Sequence, residues 1–189
     1  MNIFVLDEDP KQAAQYHCNK HVVKMILESA QMLCGAHWYS LLKEQGKTIS
    51  ELGGPKKAKE YLSKNVSSDK IPPYAFTHTG HPCSIWAAEN VGNYGWLDSL
   101  MRALLDEYTL RYGKRHKSED VWLWLHDNDP QYISQAMIMT PHPQCMPDEC
   151  KVLGNTVKAY RNYYIKHKKY LAVWEPRSST PDWFKEQDV

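Results

Sequence analysis

The sequence predicts a mainly α protein, a single compact multi-helix domain with room for minor β elements. Three observations predict it. Apolar residues recur at helical spacing in long stretches near 11–42, 81–110 and 155–174. Glycine and proline punctuate the chain between them, at Gly46, Gly53-Gly54-Pro55, Gly113 and Pro141 to Pro147. With 189 residues, 42% hydrophobic and 24% charged, the chain has enough apolar material for one core and too much for wholesale disorder. No internal repeat divides it. The expected domain covers 1–175, and a proline-containing tail over 176–189 is packed against it or partly flexible.

Taken in order, Met1 to Leu6 reads as a short buried strand or an extended arm. Asp7-Glu8-Asp9-Pro10 supplies acidic caps and a proline suited to a first helical turn. A helix is therefore expected from about Lys11 to Leu42, bent or ended at Gly35. Lys56 to Leu62 adds a short basic helix before the turn-rich Asn65 to Pro73. A second long helix is expected from His81-Pro82 to Leu110, carrying Ile85, Trp86, Trp96, Leu97, Leu100, Leu104 and Leu105. Val121 to Leu125 is a short helix or a strand. Prolines constrain the Thr140 to Asp148 loop, and a last helix is expected from Asn155 to Trp174. Four main helices result.

The most informative stretch is Tyr16 to Glu28. His17, His21, Lys24 and Glu28 follow at intervals of four, three and four, which places them on one helical stripe. Val22, Val23, Ile26, Ala30 and Leu33 lie largely off it and supply a buried face. Two imidazoles on one stripe suit acid–base work or substrate positioning; hydrogen bonds to nearby loops would explain them equally. Cys18, Asn19 and Lys20 fall between the histidines, where a zinc metalloprotease would carry glutamate. Lys20 and Lys24 also repel a divalent cation, so they suit substrate anions better.

Other constellations carry compatible chemistry. His81 sits at a helix start whose free amides suit phosphate. Trp86, Asn90, Asn93 and Trp96 share a face that would contact a base, or satisfy buried backbone groups. Glu107, Arg111, Lys114 and His116 crowd one helix end; Arg111 and Lys114 would hold phosphate and Glu107 would orient an attacking group or His116. The alternative is a simple Glu107–Arg111 ion pair. Asp148 lies on a constrained loop that would carry it toward His17 or His21, or cap the next helix.

The formal net charge is only +1, yet Lys151 to Tyr170 holds Lys151, Lys158, Arg161, Lys166, Lys168 and Lys169 with no acid. Tyr160, Tyr163, Tyr164 and Tyr170 interleave with these cations, as in phosphate-tracking, base-stacking surfaces. An amphipathic helix with a tyrosine core face produces the same pattern. Zinc-finger, basic-zipper and homeodomain signatures are absent, as are glycine-rich nucleotide loops and serine elbows.

Five cysteines, an odd count without a secretory signal, suggest thiols rather than a disulfide framework. Cys145 and Cys150 would bring two sulfurs near each other, but not at zinc-knuckle spacing. No metal is expected, and no motif names a cofactor. No signal-peptide or membrane-length hydrophobic segment stands out, so an intracellular setting without membrane contact is expected.

The blocks MNIFVLDEDP, AAQYHCNKHVVKMILESAQML, THTGHPCSIWAAENVGNYGWL, EYTLRYGKRHK and MPDECKVLGNTVKAYRNYYIKHKKYLAVW resemble the successive blocks of a family encoded by tailed bacteriophages. The resemblance covers nearly the full chain, apart from Ser40–Asp69 and Glu119–Thr140. Asn19 stands where that family often carries aspartate. The resemblance implies a phage accessory protein acting in the host cytoplasm. The expected function is an enzyme acting on a phosphate-bearing nucleotide or nucleic acid, by hydrolysis or group transfer. In that reading His17, His21, Glu107, His116 and Asp148 serve catalysis. Asn19, Lys20, Lys24, His81, Trp86, Asn90, Asn93, Trp96, Arg111, Lys114, Arg161 and Tyr164 contact DNA, RNA or a nucleotide. The alternative is a non-enzymatic protein that binds nucleic acid or a host protein.

Overall fold

A computed structural model describes residues 1–186, a mainly helical domain, so the last residues of the expected tail lie outside the described part. The α-helices are α1 (Pro10–Tyr16), α2 (Asn19–Glu44), α3 (Pro55–Asn65), α4 (Pro82–Glu89), α5 (Val91–Tyr112), α6 (Glu119–Asp127), α7 (Thr156–Tyr163) and α8 (Asp182–Lys185). No strand occurs among the described residues; the β content expected as a minor element reduces to one parallel bridge between Asn90 and Ser134. Nor is any described helix long and apolar enough to cross a membrane.

Local signals act where they stand in the chain. Asp9 caps α1 by accepting from the amides of Lys11 and Gln12, with Pro10 in the first turn. Gly113 closes α5 in the left-handed region at φ 62°. Asn155 caps α7 through the amide of Lys158.

The long helices depart from expectation at three places. The helix expected over 11–42 breaks at His17-Cys18, and Gly35 lies unbroken inside α2. The helix expected over 81–110 breaks at Asn90, whose extended backbone (φ −156°, ψ 169°) lets its side chain cap α5 through the Asn93 amide. The helix expected over 155–174 is regular only to Tyr163. A wider π turn over Tyr164–Lys168 and a 3-10 turn over Lys169–Leu171 follow.

In the core, α2 runs against α4 and α5, and α1 packs on α5. Ile3, Phe4, Val5 and Leu6 thread through this core as an extended arm, the second of the two forms expected for Met1 to Leu6. With no strand partner, the arm finds polar partners elsewhere. The Asn2 amide donates to Glu28 at 2.7 Å, and the Leu6 carbonyl accepts from Arg161 at 2.9 Å. A smaller apolar cluster, with Trp38, Leu42, Ala58, Leu62 and Phe76, fastens α3 to the C-terminal half of α2. From the tail, Phe184 packs edge to face on Trp174 of the domain at 4.9 Å.

Candidate functional site

The break between α1 and α2 builds the site. His17 and Cys18 are extended, at ψ 131° and 161°, so the last carbonyls of α1 and the first amides of α2 lack helical partners. Arg111, in the last turn of α5, answers the carbonyls. Its Nη1 donates to the His17 carbonyl at 2.8 Å and to Asn19 Oδ1 at 3.3 Å, and its Nη2 to the Gln15 carbonyl at 2.9 Å. Its Nε donates to Glu107 at 2.8 Å, and the side chain is fully buried. Asn19 meets the chain from the other side, donating through Nδ2 to the Trp174 carbonyl at 2.9 Å.

This clamp fixes two imidazoles. His17 Nδ1 lies 2.7 Å from the Ala13 carbonyl. A carbonyl only accepts, so Nδ1 carries the proton and Nε2 presents a lone pair. That Nε2 is buried and has no hydrogen-bond partner among the described residues. Burial lowers the His17 pKa to about 4, against the opposing effect of the Ala13 bond and with a further push from Arg111.

His21 Nδ1 lies 2.5 Å from the Tyr164 hydroxyl. Its pKa is lowered to about 3, chiefly by burial and then by His17, Lys168 and Lys24. Burial holds the Tyr164 phenol well above its ordinary value. The Cys18 thiol, raised by burial, sits at the start of α2 among the His21 and Lys20 amides and the Tyr164 hydroxyl. Phe4 stacks on His21 at 4.4 Å and meets His17 edge-on at 6.2 Å. At neutral pH the cluster therefore holds two uncharged imidazoles beside a protonated phenol and thiol. It suits proton transfer in a dry setting.

Six of the expected residues converge here: His17, Asn19, His21, Glu107, Arg111 and Tyr164. Their contacts differ from expectation: the Arg111 guanidinium is bonded within the protein rather than offered to a phosphate, Glu107 forms the ion pair with Arg111 given as the alternative, and Asn19 and Tyr164 bond protein groups. His17 and His21 also do not share a helix, since α2 begins after His17; their rings nevertheless lie 6.5 Å apart. Lys20 is exposed on the first turn of α2, and Lys24 pairs with Glu28 at 3.3 Å. The sequence reading missed Phe4, Cys18 and Lys168 as neighbours of His21. Cys18 was the visible one, standing between the two histidines.

The remaining expected residues lie elsewhere. Trp86 and Trp96 enclose His142, each ring 4.3 Å from it, and donate to the carbonyls of Thr140 and Glu8. Asn90 caps α5, and Asn93 bonds the Trp86 carbonyl and both the amide and hydroxyl of Thr140. These contacts match the alternative in which the asparagines satisfy buried backbone groups. His81 caps α4 through the Cys83 amide, and His116 accepts from the Ser118 amide. Lys114 is exposed. Arg161 bonds Asp7 and lies over the rings of Tyr16 and Trp183. Asp148 is exposed and pairs with Lys151 at 2.7 Å, so its loop does not bring it to the histidines. Glu107 also borders a cleft of about 400 Å³ with Gln15, Asp98, Arg102 and Trp122. Burial there raises the Asp98 carboxyl.

Among the described residues, two groups hold ligand atoms of metal-binding type within 4.8 Å of one another: His81, Cys83 and Cys145, and Glu149, Cys150 and His167. Cys145 and Cys150 thus fall into separate groups. In the second, Glu149 and His167 form an exposed ion pair at 2.9 Å. In the first, the Cys83 thiol points its hydrogen at Cys145, which lowers the Cys145 pKa to about 7. Comparison with protein-family models, curated protein sequences and solved structures gives no match, so the chemistry of this chain is argued from its own residues.

Proposed function

We propose that this chain is a phage accessory enzyme acting on a phosphate-bearing nucleotide or nucleic acid, by hydrolysis or group transfer. The observation that carries this reading is the unpartnered Nε2 lone pair of His17 beside the His21–Tyr164 pair. A buried acceptor without a donor costs stability, and a substrate proton would satisfy it. His21 and Tyr164 supply a second proton-transfer pair. Lys24 and Lys168 lie close enough to depress the proton affinity of His21, and they would meet a phosphate approaching its edge. Lys168 also lies over the half-buried Tyr163 ring at 4.7 Å, which helps hold its ammonium beside His21. Arg111 and Glu107 act as positioning residues.

One observation favours the alternative of host-protein binding. Met137 and Ile138 are 76% and 84% exposed on an apolar loop held against α5 by the Gly92 amide. Product analysis separates the two readings. Nucleotides and short DNA and RNA strands are incubated with the wild type, His21→Gln and Tyr164→Phe, and products are resolved by mass spectrometry. The enzymatic reading expects a new product from the wild type, formed at least about 100-fold more slowly by His21→Gln. No product from any substrate, with folded protein, sinks it in favour of binding.

A further inference from the structure

His81, Cys83 and Cys145 form a second constellation, independent of the histidine cluster. Cys83 lies in the first turn of α4. Cys145 comes from the proline-rich loop 62 residues away, yet the two sulfurs are 3.6 Å apart. Two thiolates bonded at about 2.3 Å to one tetrahedral ion stand about 3.8 Å apart, whereas a disulfide requires about 2.05 Å. The observed spacing matches the shared ion with almost no movement. A His81 nitrogen completes three ligand atoms lying within 4.8 Å of one another.

The surroundings hold both sulfurs in place. Asn2 Nδ2 donates to the Cys145 carbonyl at 2.9 Å, and Asn2 Oδ1 lies 3.8 Å from the Cys83 sulfur. Tyr160 fixes the same asparagine oxygen at 2.7 Å and accepts from the Cys145 amide at 3.4 Å. Outer contacts of this kind orient metal ligands. Cys83 is fully buried, while His81 and Cys145 are only partly so, which leaves an entry side and an open ligand position.

We propose that His81, Cys83 and Cys145 bind one thiophilic divalent cation of the zinc class. On binding, each thiol releases its proton to solvent, two thiolate–metal bonds form, and a histidine nitrogen supplies the third. Water fills the fourth position. The ion ties α4 to the Cys145 loop beside the arm that carries Phe4.

The test titrates reduced, chelator-stripped full-length protein with Co(II). The expected result is one equivalent bound, with a thiolate-to-cobalt charge-transfer band in the wild type and in Cys150→Ser. The band disappears in Cys83→Ser and Cys145→Ser, and His81→Ala weakens binding by about tenfold or more. Because the serine variants risk misfolding, Zn(II) is also added to the wild type before thiol alkylation, where it must slow labelling of Cys145. Absence of stoichiometric Co(II) binding overturns the proposal. So does binding that survives loss of both thiols, unchanged labelling of Cys145 with zinc, or a Cys83–Cys145 disulfide formed without metal uptake.

Discussion

His21 Nδ1 lies 2.5 Å from the hydroxyl of Tyr164, a bond that joins residues 143 positions apart and links the start of α2 to the π turn that follows α7. Both side chains are buried, so neither can exchange this partner for water. Tyr164→Phe keeps the ring and removes the oxygen. It should destabilise the fold by about 1–3 kcal/mol, the cost of leaving a buried imidazole nitrogen unpaired. Urea midpoints for Tyr164→Phe, His21→Leu and the double variant check this. The double variant should cost less than the sum of the two singles.

Arg111 should matter more to stability than to ligand affinity. Its loss leaves Glu107 without its cation and frees the carbonyls of Gln15 and His17 in a buried setting. Arg111→Met is expected to cost about 3–5 kcal/mol, as breaking other buried ion pairs does. Chemical denaturation measures it, and a cost below about 1 kcal/mol would contradict the clamp described for the α1–α2 break.

Acid should unfold the protein well above the carboxylate range. Burial lowers His17, His37 and His142 to about 4 and His21 to about 3. Each folded value lies below the unfolded value near 6.5, so protons bind the unfolded chain preferentially. Stability from these groups is complete above about pH 6.5 and is lost as the pH falls toward about 4. The loss is about 1.4 kcal/mol per pH unit for each histidine. Urea midpoints at pH 7, 6 and 5 should fall steeply, and His37→Gln should remove about one proton from the slope. Equal midpoints across that range would refute the assignment of buried neutral imidazoles.

Two glycines should respond in opposite directions. A Cβ at Gly35 would meet nothing within 4 Å, so Gly35→Ala should stabilise α2 by about 0.5–1 kcal/mol. A Cβ at Gly92 would stand 2.5 Å from the Met137 carbonyl oxygen, against backbone that also bonds the Gly92 amide through Ala136. Gly92→Ala should therefore destabilise by about 1–3 kcal/mol. Thermal unfolding of the two variants provides the comparison.

These residues also mark what was legible in the chain. The cap at Asp9, the break at Gly113 and the helix start at Asn155 could be read because their physics is local. Gly35 misled because glycine weakens a helix only slightly, and α2 packs along two neighbours. The break at His17-Cys18 could not be read, since its partners come from Arg111 and from Val173-Trp174, far along the chain. Asn90 carried a usable hint: asparagine favours helix starts. The four-residue spacing of His17 and His21 did bring the rings together, through a tertiary clamp rather than a shared helix. Cys83 and Cys145 meet only through folding, and no local spacing announces them.

Binding across a salt series tests the central claim most directly. Wild type and Lys24→Ala/Lys168→Ala are titrated with single- and double-stranded DNA and RNA, with free nucleotides as competitors. The account predicts saturable binding that weakens with salt, and a logarithmic salt slope shallower in the double variant by about 1–2. Binding to none of these ligands, or a slope unchanged by removing both lysines, would contradict a phosphate site at His21.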